Sequence, residues 1–192
     1  MSLAATYKKQ KKEIISWARR LYEKDFVAGA SGNISMKAGR NGLLITAAGS
    51  YLSCLKESDV VLINPAGGML RGKGKPTSEK KLHLDIHANF SETVVLHAHP
   101  PFTTLFFSRY KKIRPMSFEA GLYLEGVRVI PQRTPNVVDT RPVIKALASC
   151  KIVVLGHHGV VAIGADFRKA FSLIEILERE AMLNIIAKGI HE

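Results

Sequence analysis

The chain has 192 residues, of which 46% are hydrophobic and 23% are charged. These values predict one globular domain over residues 1–192 and exclude a fibrous or disordered protein. No apolar run approaches the roughly 18 residues of a membrane span, and the Lys-rich N-terminus lacks the apolar segment of a secretory signal. Cys54 and Cys150 are the only cysteines, so we expect no disulfide framework and a cytoplasmic location.

The net charge of +12 and the pI of about 9.9 raise the question of nucleic-acid binding. The basic residues are nevertheless spread along the chain, and aromatic residues make up only 7% of it. No nucleic-acid-binding motif accompanies them, so we expect neither a nucleic-acid partner nor a membrane partner. A field of this sign does attract small anions, including phosphorylated substrates.

Hydrophobic periodicity divides the chain into helices and short strands. Helices are predicted at 7–24, 76–89, 102–110, 141–148 and 167–188. Strands are predicted at 43–46, 60–64, 69–71, 93–99, 127–130, 152–155 and 160–163, and a further short strand is predicted after a loop at 29–35. Because several of these strands are joined by hairpins, we expect an α/β fold with a mixed, largely antiparallel sheet and helices on its faces.

Polar residues mark where two of these helices begin. Thr77 or Ser78 is predicted to cap the helix at 76–89, with Glu79 in its first turn, where negative charge is favoured. Asp166 is predicted to cap the last helix in the same way.

The most informative stretch is the His-Ala-His sequence at the end of an apolar, β-branched run. His97 and His99 follow Thr93-Val94-Val95 and are closed off by two prolines, which is typical of a buried strand. Residues two apart on a strand point to the same face, whereas on a helix they point about 200° apart. The pair therefore predicts two imidazoles converging on one metal ion, although two hydrogen-bonded histidines in a polar cleft would give the same pattern.

Two other segments offer further ligands. His158 lies in Gly156-His157-His158-Gly159, where the glycines permit a close approach of backbone to neighbour or ligand. Glu79 lies at a helix start after a flexible lead. Each residue alone has an ordinary structural explanation, but three histidines and a carboxylate together form a ligand set that suits zinc.

A rival metal site is encoded on the helix at 76–89. Glu79, His83 and His87 are spaced i, i+4, i+8 and lie along one helix face. His83 and His87 alone could bind a metal. Histidines at helical spacing are more often packing or surface residues, so the strand site is favoured.

Five motifs in order resemble the class II aldolase/adducin family, most of all its short archaeal-type L-fuculose-1-phosphate aldolase branch. These are Gly-Asn-Ile-Ser (32–35), Ile-Thr-Ala-Ala-Gly (45–49), Lys-Pro-Thr-Ser-Glu (75–79), His-Ala-His-Pro (97–100) and Gly-His-His-Gly-Val (156–160). The resemblance covers almost the whole chain. It implies a three-layer α/β/α fold and a homotetramer with zinc at a subunit interface.

Carried over residue by residue, the resemblance assigns the zinc ligands to His97, His99 and His158. Glu79 matches the carboxylate that ligates zinc in the resting enzyme and serves as acid/base when substrate displaces it. His83 matches a position that is not a ligand in the family, which argues against the helical site.

The resemblance assigns phosphate binding to Asn33, Gly49, Thr77 and Ser78, with Ser50 as a further candidate. The chemistry of these residues agrees with that role. Small hydroxyls, an amide and glycine backbone N–H groups beside a helix N-terminus are suited to a phosphate.

Two departures from the family bear on the substrate. Position 48 is Ala where the family usually has a hydroxyl residue. Phe118 aligns with a catalytic tyrosine of the bacterial fuculose-phosphate enzyme, and it cannot donate a proton. Glu119, Tyr123 or a water then takes that role, or the substrate differs.

The expected activity is that of a zinc-dependent aldolase, a class II aldehyde-lyase. It would cleave L-fuculose 1-phosphate or a similar ketose 1-phosphate to dihydroxyacetone phosphate and an aldehyde through a metal-stabilised enediolate. Two alternatives keep the fold: a sugar-phosphate dehydratase or 4-epimerase with the same metal site, and a non-catalytic adducin-like interaction domain.

Overall fold

A mixed sheet forms the centre of the computed structural model, which describes residues 3–39 and 42–189. The predicted domain's outermost residues, 1–2 and 190–192, lie outside that description. The strands among the described residues are β1 (Asn33–Ala38), β2 (Gly42–Thr46), β3 (Val60–Ile63), β4 (Met69–Arg71), β5 (Val94–Ala98), β6 (Val129–Ile130), β7 (Ile152–Leu155) and β8 (Gly159–Gly164). Their order is β4-β3-β2-β1-β5-β8-β7-β6, antiparallel throughout except for the β6–β7 pair.

Helices cover both faces of this sheet. They are α1 (Leu3–Glu23), α2 (Lys80–Asn89), α3 (Pro101–Arg109), α4 (Phe118–Tyr123), α5 (Arg141–Leu147) and α6 (Phe167–Gly189), with short 3-10 turns at Leu52–Cys54 and Glu57–Asp59. Among the described residues, none of them has the combined length and apolar character needed to cross a bilayer.

The alternation of side chains along the strands explains the layering. Val94 and Leu96 of β5 pack into the core shared with α1, α3 and α6, whereas Val95 packs into the core shared with α2 and α5. Each face of the central strands is therefore apolar and needs its own helical layer. This arrangement confirms the predicted three-layer α/β/α fold with a largely antiparallel sheet.

The start of α2 differs from the prediction. The helix begins at Lys80, and Glu79 occupies the N-cap position without a side-chain cap hydrogen bond. Thr77 instead accepts a hydrogen bond from the Glu79 backbone N–H at 3.3 Å, and the Ser78 hydroxyl donates to Asn136. The prediction of a Thr77 or Ser78 cap was wrong because both side chains have partners outside the helix.

Other boundaries shift by a few residues. Helix α1 begins at Leu3 instead of residue 7, since three of the four added residues are leucine or alanine, which are good helix formers. The short helix α4 was not predicted; Ser117 caps it by accepting from the Ala120 backbone N–H at 3.2 Å. The Asp166 cap is confirmed by the hydrogen bond that its carboxylate accepts from the Lys169 backbone N–H at 2.8 Å.

A carboxylate of α6 holds the N-terminus of α3, the helix that follows the His-Ala-His strand. Glu178 is buried and accepts from the backbone N–H of Phe102 (2.9 Å) and from both the backbone N–H and the hydroxyl of Thr103 (2.7 Å each). It therefore satisfies N–H groups that a helix start leaves without partners.

We expect Glu178→Gln to destabilise the protein by about 3 kcal/mol, because an amide N–H₂ would face donors that now meet a charged acceptor. Urea unfolding would measure the loss. Glu175→Gln is the matched control, since the exposed Glu175–Lys24 ion pair on the same helix contributes about 1 kcal/mol at most. Equal effects of the two substitutions would contradict this role of Glu178.

Candidate metal centre and anion pocket

Three histidines lie together at one end of the central strands β5 and β8. His97 lies in β5, His99 lies one residue beyond its end, and His158 lies in the turn that leads into β8. The backbone N–H of His99 donates to the Phe26 carbonyl at 2.7 Å, and that of His158 donates to the Leu155 carbonyl at 3.0 Å. Backbone hydrogen bonds thus fix the two histidines that lie outside strands.

Gly159 explains how the turn comes so close to β5. A Cβ atom at this position would lie 2.3 Å from the Ala98 carbonyl oxygen and 2.9 Å from Cδ2 of His99. Any other residue would push the turn away from the strand end, and with it the imidazole of His158. The glycine that the sequence analysis connected with close approach therefore has a direct steric reason.

The three imidazoles form a compact cluster. Their ring centroids are 4.7–4.8 Å apart, and one ligand nitrogen from each lies within 4.8 Å of the other two. Nε2 of His97 and Nε2 of His99 are 2.9 Å apart. Tetrahedral zinc at 2.0–2.1 Å from each nitrogen would set these two atoms about 3.3 Å apart, so this pair already lies near the separation that zinc needs. Among the described residues, no other trio of His, Cys, Asp or Glu is arranged in this way.

The hydrogen bonds of His97 indicate that a cation can bind beside its Nε2 atom. Its Nδ1 donates to the Val160 carbonyl at 2.9 Å, so Nε2 carries a lone pair. That lone pair faces Oε2 of Glu79 at 3.1 Å. Two buried acceptors facing each other are unfavourable unless a positive charge lies between them. The three clustered imidazoles and the Glu79 oxygen beside His97 are therefore a donor set that fits a divalent metal.

The electrostatic environment keeps these imidazoles neutral, as metal ligation requires. Burial, together with the neighbouring His158, lowers the pKa of His97 to about 3. Burial, together with the other two histidines, also lowers the pKa of His99 to about 3. Burial lowers the pKa of His158, although the Glu79 carboxylate opposes that shift. The contact between His97 and Glu79 is therefore not an ion pair near neutral pH.

Glu79 is held from two sides. Oε2 accepts from Nδ2 of Asn33 at 3.1 Å, and Oε1 accepts from the backbone N–H of Val137 at 3.3 Å. Its side chain is 4% exposed. The second contact comes from the loop between β6 and α5, which the sequence analysis did not connect with the site. Asn136 of the same loop bonds Ser78, and no local signal in the sequence indicates either contact.

The helical histidines, His83 and His87, form hydrogen bonds with side chains of β1 and do not form a metal site. His83 has Nε2 against Oδ1 of Asn33 at 2.5 Å and Nδ1 against the Ser35 hydroxyl at 2.6 Å. His87 has Nε2 against the same hydroxyl at 2.8 Å. Both ring nitrogens of His83 thus have hydrogen-bond partners, and Ser35 lies between the two imidazoles where a metal would have to bind.

A cavity of about 160 Å³ opens onto the histidine cluster. It is lined by all the residues that the sequence predicted for the site: Asn33, Gly49, Ser50, Thr77, Ser78, Glu79, His97, His99 and His158. The Thr77 backbone N–H donates to Thr46 at 3.0 Å and the Ala48 backbone N–H donates to Lys75 at 2.8 Å, which holds the 47–50 turn beside the start of α2. A larger groove of about 1070 Å³ lies at the opposite end of β8 and contains none of these residues.

Phe118, which aligns with the family's catalytic tyrosine, and its two possible substitutes, Glu119 and Tyr123, all lie on α4. Phe118 is 94% exposed and Tyr123 is 56% exposed, and Glu119 is also exposed. None of the three lines the 160 Å³ cavity. Within one described chain, therefore, no residue replaces that tyrosine from α4.

The pKa of His87 gives a testable pH dependence. Burial and the positive charge of Lys37 lower it to about 4, while a backbone group of Glu92 opposes the shift. His87 stays neutral in the folded protein down to about pH 4, whereas in the unfolded chain it binds a proton below about pH 6.5. The free energy of unfolding therefore falls as the pH is lowered from about 6.5 towards 4.

We expect His87→Gln to reduce that loss by on the order of 3 kcal/mol, since the glutamine does not titrate. Urea unfolding of metal-free protein at pH 7 and pH 4 would show a smaller difference for the variant than for the wild type. The same difference for both proteins would contradict the assignment.

Comparison with known proteins agrees with the geometry. The family described as Class II Aldolase and Adducin N-terminal domain matches residues 12–185. The L-fuculose phosphate aldolase of Methanococcus maripaludis (strain C5) is 32% identical over 173 residues, which cover 90% of this chain and 93% of that protein. A 5-methylthioribulose-1-phosphate/5-deoxyribulose-1-phosphate aldolase of Rhodospirillum rubrum is 31% identical over 169 residues, covering 86% and 76% of the two chains.

A solved structure shows the same fold. The L-fuculose-1-phosphate aldolase of Thermus thermophilus superposes with a TM-score of 0.85 at 21% identity and covers 94% of each chain. The family match spans nearly the whole described chain, and the relatives align over most of their length. The chain belongs to the class II aldolase and adducin family.

Proposed function

We propose that the protein is a zinc-dependent aldolase that cleaves a ketose 1-phosphate, L-fuculose 1-phosphate or a similar sugar, to dihydroxyacetone phosphate and an aldehyde. One observation carries the proposal. Three neutral imidazoles and a buried carboxylate line the same small cavity as a set of hydroxyls, amides and a helix start suited to phosphate. A phosphorylated substrate in that cavity would have its carbonyl end beside the histidines.

His97, His99 and His158 would hold the zinc ion, with Glu79 as a fourth ligand when substrate is absent. Bound there, zinc supplies Lewis-acid stabilisation of the negative charge that carbon–carbon cleavage leaves on the substrate. The Val160 carbonyl, by accepting from Nδ1 of His97, fixes the ring so that Nε2 is the ligating atom.

Glu79 would carry the proton during the reaction. Asn33 and the Val137 backbone hold its two oxygens by hydrogen bonds of 3.1 and 3.3 Å, which fixes the carboxylate at the edge of the cavity. A general acid or base must lie within hydrogen-bond reach of the reacting atom, and this placement meets that condition for a substrate seated at the histidines.

Asn33, Gly49, Ser50, Thr77 and Ser78 would bind the phosphate. They lie at the cavity wall next to the start of α2, where backbone N–H groups and the helix dipole favour an anion. Fixing the phosphate sets the distance from it to the reacting carbon, and this orientation lowers the barrier to reaction.

We further propose a homotetramer located in the cytoplasm. Helix α4 exposes Phe118 (94%), Leu122 (76%) and Tyr123 (56%), an apolar surface that assembly would cover. A neighbouring copy would also be a source of the proton donor that α4 does not provide within its own chain. Both cysteines are free, which agrees with a reducing compartment. Light scattering of the purified protein measures the assembly; a monomer at micromolar concentration would overturn it.

The test is a panel of ketose 1-phosphates with zinc-loaded protein, in which release of dihydroxyacetone phosphate is followed. We expect release from at least one of them and none after removal of the metal with a chelator. The panel should include L-fuculose 1-phosphate and 5-deoxyribulose 1-phosphate, since relatives carry both kinds of name. No release from any member would end the aldolase proposal.

Product analysis separates the aldolase from a dehydratase or 4-epimerase. Only the aldolase yields two carbon fragments; the other two reactions keep the carbon chain intact. A protein that binds no stoichiometric metal and converts no substrate would favour the non-catalytic interaction domain.

A further inference from the structure

A buried chain of hydrogen bonds runs behind Glu79, between β1 and α2. It passes from the Glu79 carboxylate to Asn33, from Asn33 to His83, and from His83 to Ser35, with atom separations of 3.1, 2.5 and 2.6 Å. Asn33 is 7% exposed, and His83 and Ser35 are 0% exposed. His83 and Ser35 cannot exchange their partners for bulk water, so their hydrogen bonds must be satisfied from within the chain.

The carboxylate fixes the direction of every bond. An ionised carboxylate only accepts, so the Asn33 amide must turn its nitrogen to Glu79 and its oxygen to His83. His83 must then carry its hydrogen on Nε2. Since burial lowers the pKa of His83 well below its ordinary value, the ring is neutral and Nδ1 is a bare acceptor. The Ser35 hydroxyl therefore donates to Nδ1 and in turn accepts from Nε2 of His87.

The fold provides this alignment through simple spacings. Asn33 and Ser35 are two residues apart on β1 and so point to the same face of the sheet. His83 lies on α2, the helix that covers that face, and His87 follows one turn later. The helical histidines that first suggested a second metal site thus contact two side chains of a strand.

We propose that His83 is a positioning residue that holds the Asn33 amide nitrogen towards the cavity, where it donates to the phosphate of the substrate. This inference rests on the proposed function, because it concerns how the same pocket binds its anion. The amide nitrogen has two hydrogens; one bonds Glu79, and the second can donate into the cavity that Asn33 lines.

His83 is the fixed end of this arrangement. Glu79 also favours the same amide orientation, but it borders the cavity and is the group proposed to handle the proton. His83 is fully buried on a helix and keeps its donor in place whatever Glu79 does. Without that donor, the Asn33 oxygen would be buried and unpaired, and the amide would rotate to find another partner.

The first test is spectroscopic and does not depend on activity. Nitrogen-15 NMR of histidine-labelled protein distinguishes the two neutral tautomers, and His83→Gln identifies the His83 signals by their loss. We expect the Nε2–H tautomer of His83 between pH 6 and 8. An Nδ1–H tautomer, or a charged ring in this range, would overturn the proposal.

The second test measures the affinity of inorganic phosphate by calorimetry. We expect His83→Leu to weaken it about tenfold, the effect of losing one hydrogen bond to a charged group. His83→Gln should stay within about threefold of the wild type, because its amide N–H₂ reaches the Nε2 position and can donate to Asn33. Turnover should separate the two variants in the same way: His83→Leu should raise KM for the phosphorylated substrate by a larger factor than it lowers kcat, and His83→Gln should change both little.

A double-mutant cycle completes the argument. In an Asn33→Ala background, His83→Leu should have no further effect on phosphate affinity, since it acts through Asn33. A folded, zinc-binding His83→Leu protein with wild-type phosphate affinity would overturn the proposal; if this variant does not fold, the tautomer decides. Failure of the proposed function would give a different result. The wild-type protein would then release no product, although its His83 tautomer and its phosphate affinity would be as expected.

Discussion

Replacing His158 with alanine is expected to abolish stoichiometric metal binding and, with it, measurable turnover. Structural zinc sites bind with about 10–16 kcal/mol over four ligands, so losing one ligand weakens affinity by roughly a hundred- to a thousandfold. His158 comes from the turn between β7 and β8, whereas His97 and His99 come from the end of β5, so its loss leaves two imidazoles and the Glu79 carboxylate to hold the ion. Metal content after gel filtration, measured by emission spectroscopy, would show the loss.

The adjacent residue provides a matched control. His157 is exposed and has a left-handed backbone conformation, with φ of 57°, which asparagine tolerates better than most residues. His157→Asn should therefore keep its metal and its activity. If His158→Ala retained one metal per chain after chelator-free purification, or if His157→Asn lost it, the assignment of ligands would be wrong.

Much of this site could be predicted because its information is local. His97 and His99 are two apart on a run whose β-branched residues predict a strand, and strand geometry alone places both rings on one face. Gly159 follows His158 directly and marks the close approach of the turn to the neighbouring strand. The sheet order then places β5 beside β8, a pairing that the hairpin and strand pattern did not specify.

Other parts could not be predicted because they depend on contacts between distant segments. The Val137 N–H that holds Glu79, and Asn136 that bonds Ser78, are 58 residues from their partners and belong to a loop without a motif. The cap prediction at α2 failed for the same reason: the Ser78 side chain has its partner in that loop. Spacing along a helix also could not show that Ser35 separates His83 from His87.

The roles of the two histidine sets follow from where their lone pairs point. Within the helical set, both ring nitrogens of His83 and Nε2 of His87 have hydrogen-bond partners, and the Ser35 hydroxyl lies between the two rings. At the strand set, the His97 lone pair meets a carboxylate oxygen and Nδ1 of His158 has no partner. Two acceptors that face each other in a buried site are unfavourable, and a divalent cation bound by the three imidazoles would relieve the contact between His97 and Glu79.

Glu79→Gln should lower kcat by about 10² to 10⁴-fold, the contribution typical of a general acid or base. Glutamine has nearly the same shape, so its side-chain oxygen can still accept from Asn33 or from the Val137 backbone, and the fold should persist. The amide, however, cannot take up or deliver a proton near neutral pH. Steady-state kinetics at saturating zinc isolate this effect from the weakening of metal affinity that loss of a charged ligand causes.

Glu79→Asp distinguishes the charge of this residue from its position. Aspartate keeps the negative charge but withdraws the carboxylate by about one methylene, and misplacement of this size is expected to cost about a hundredfold in rate. Zinc affinity of the aspartate variant should exceed that of the glutamine variant, since a charged oxygen is still available. If Glu79→Gln kept a kcat within about tenfold of the wild type at saturating zinc, Glu79 would be a metal ligand alone and the proton would have to pass through another group.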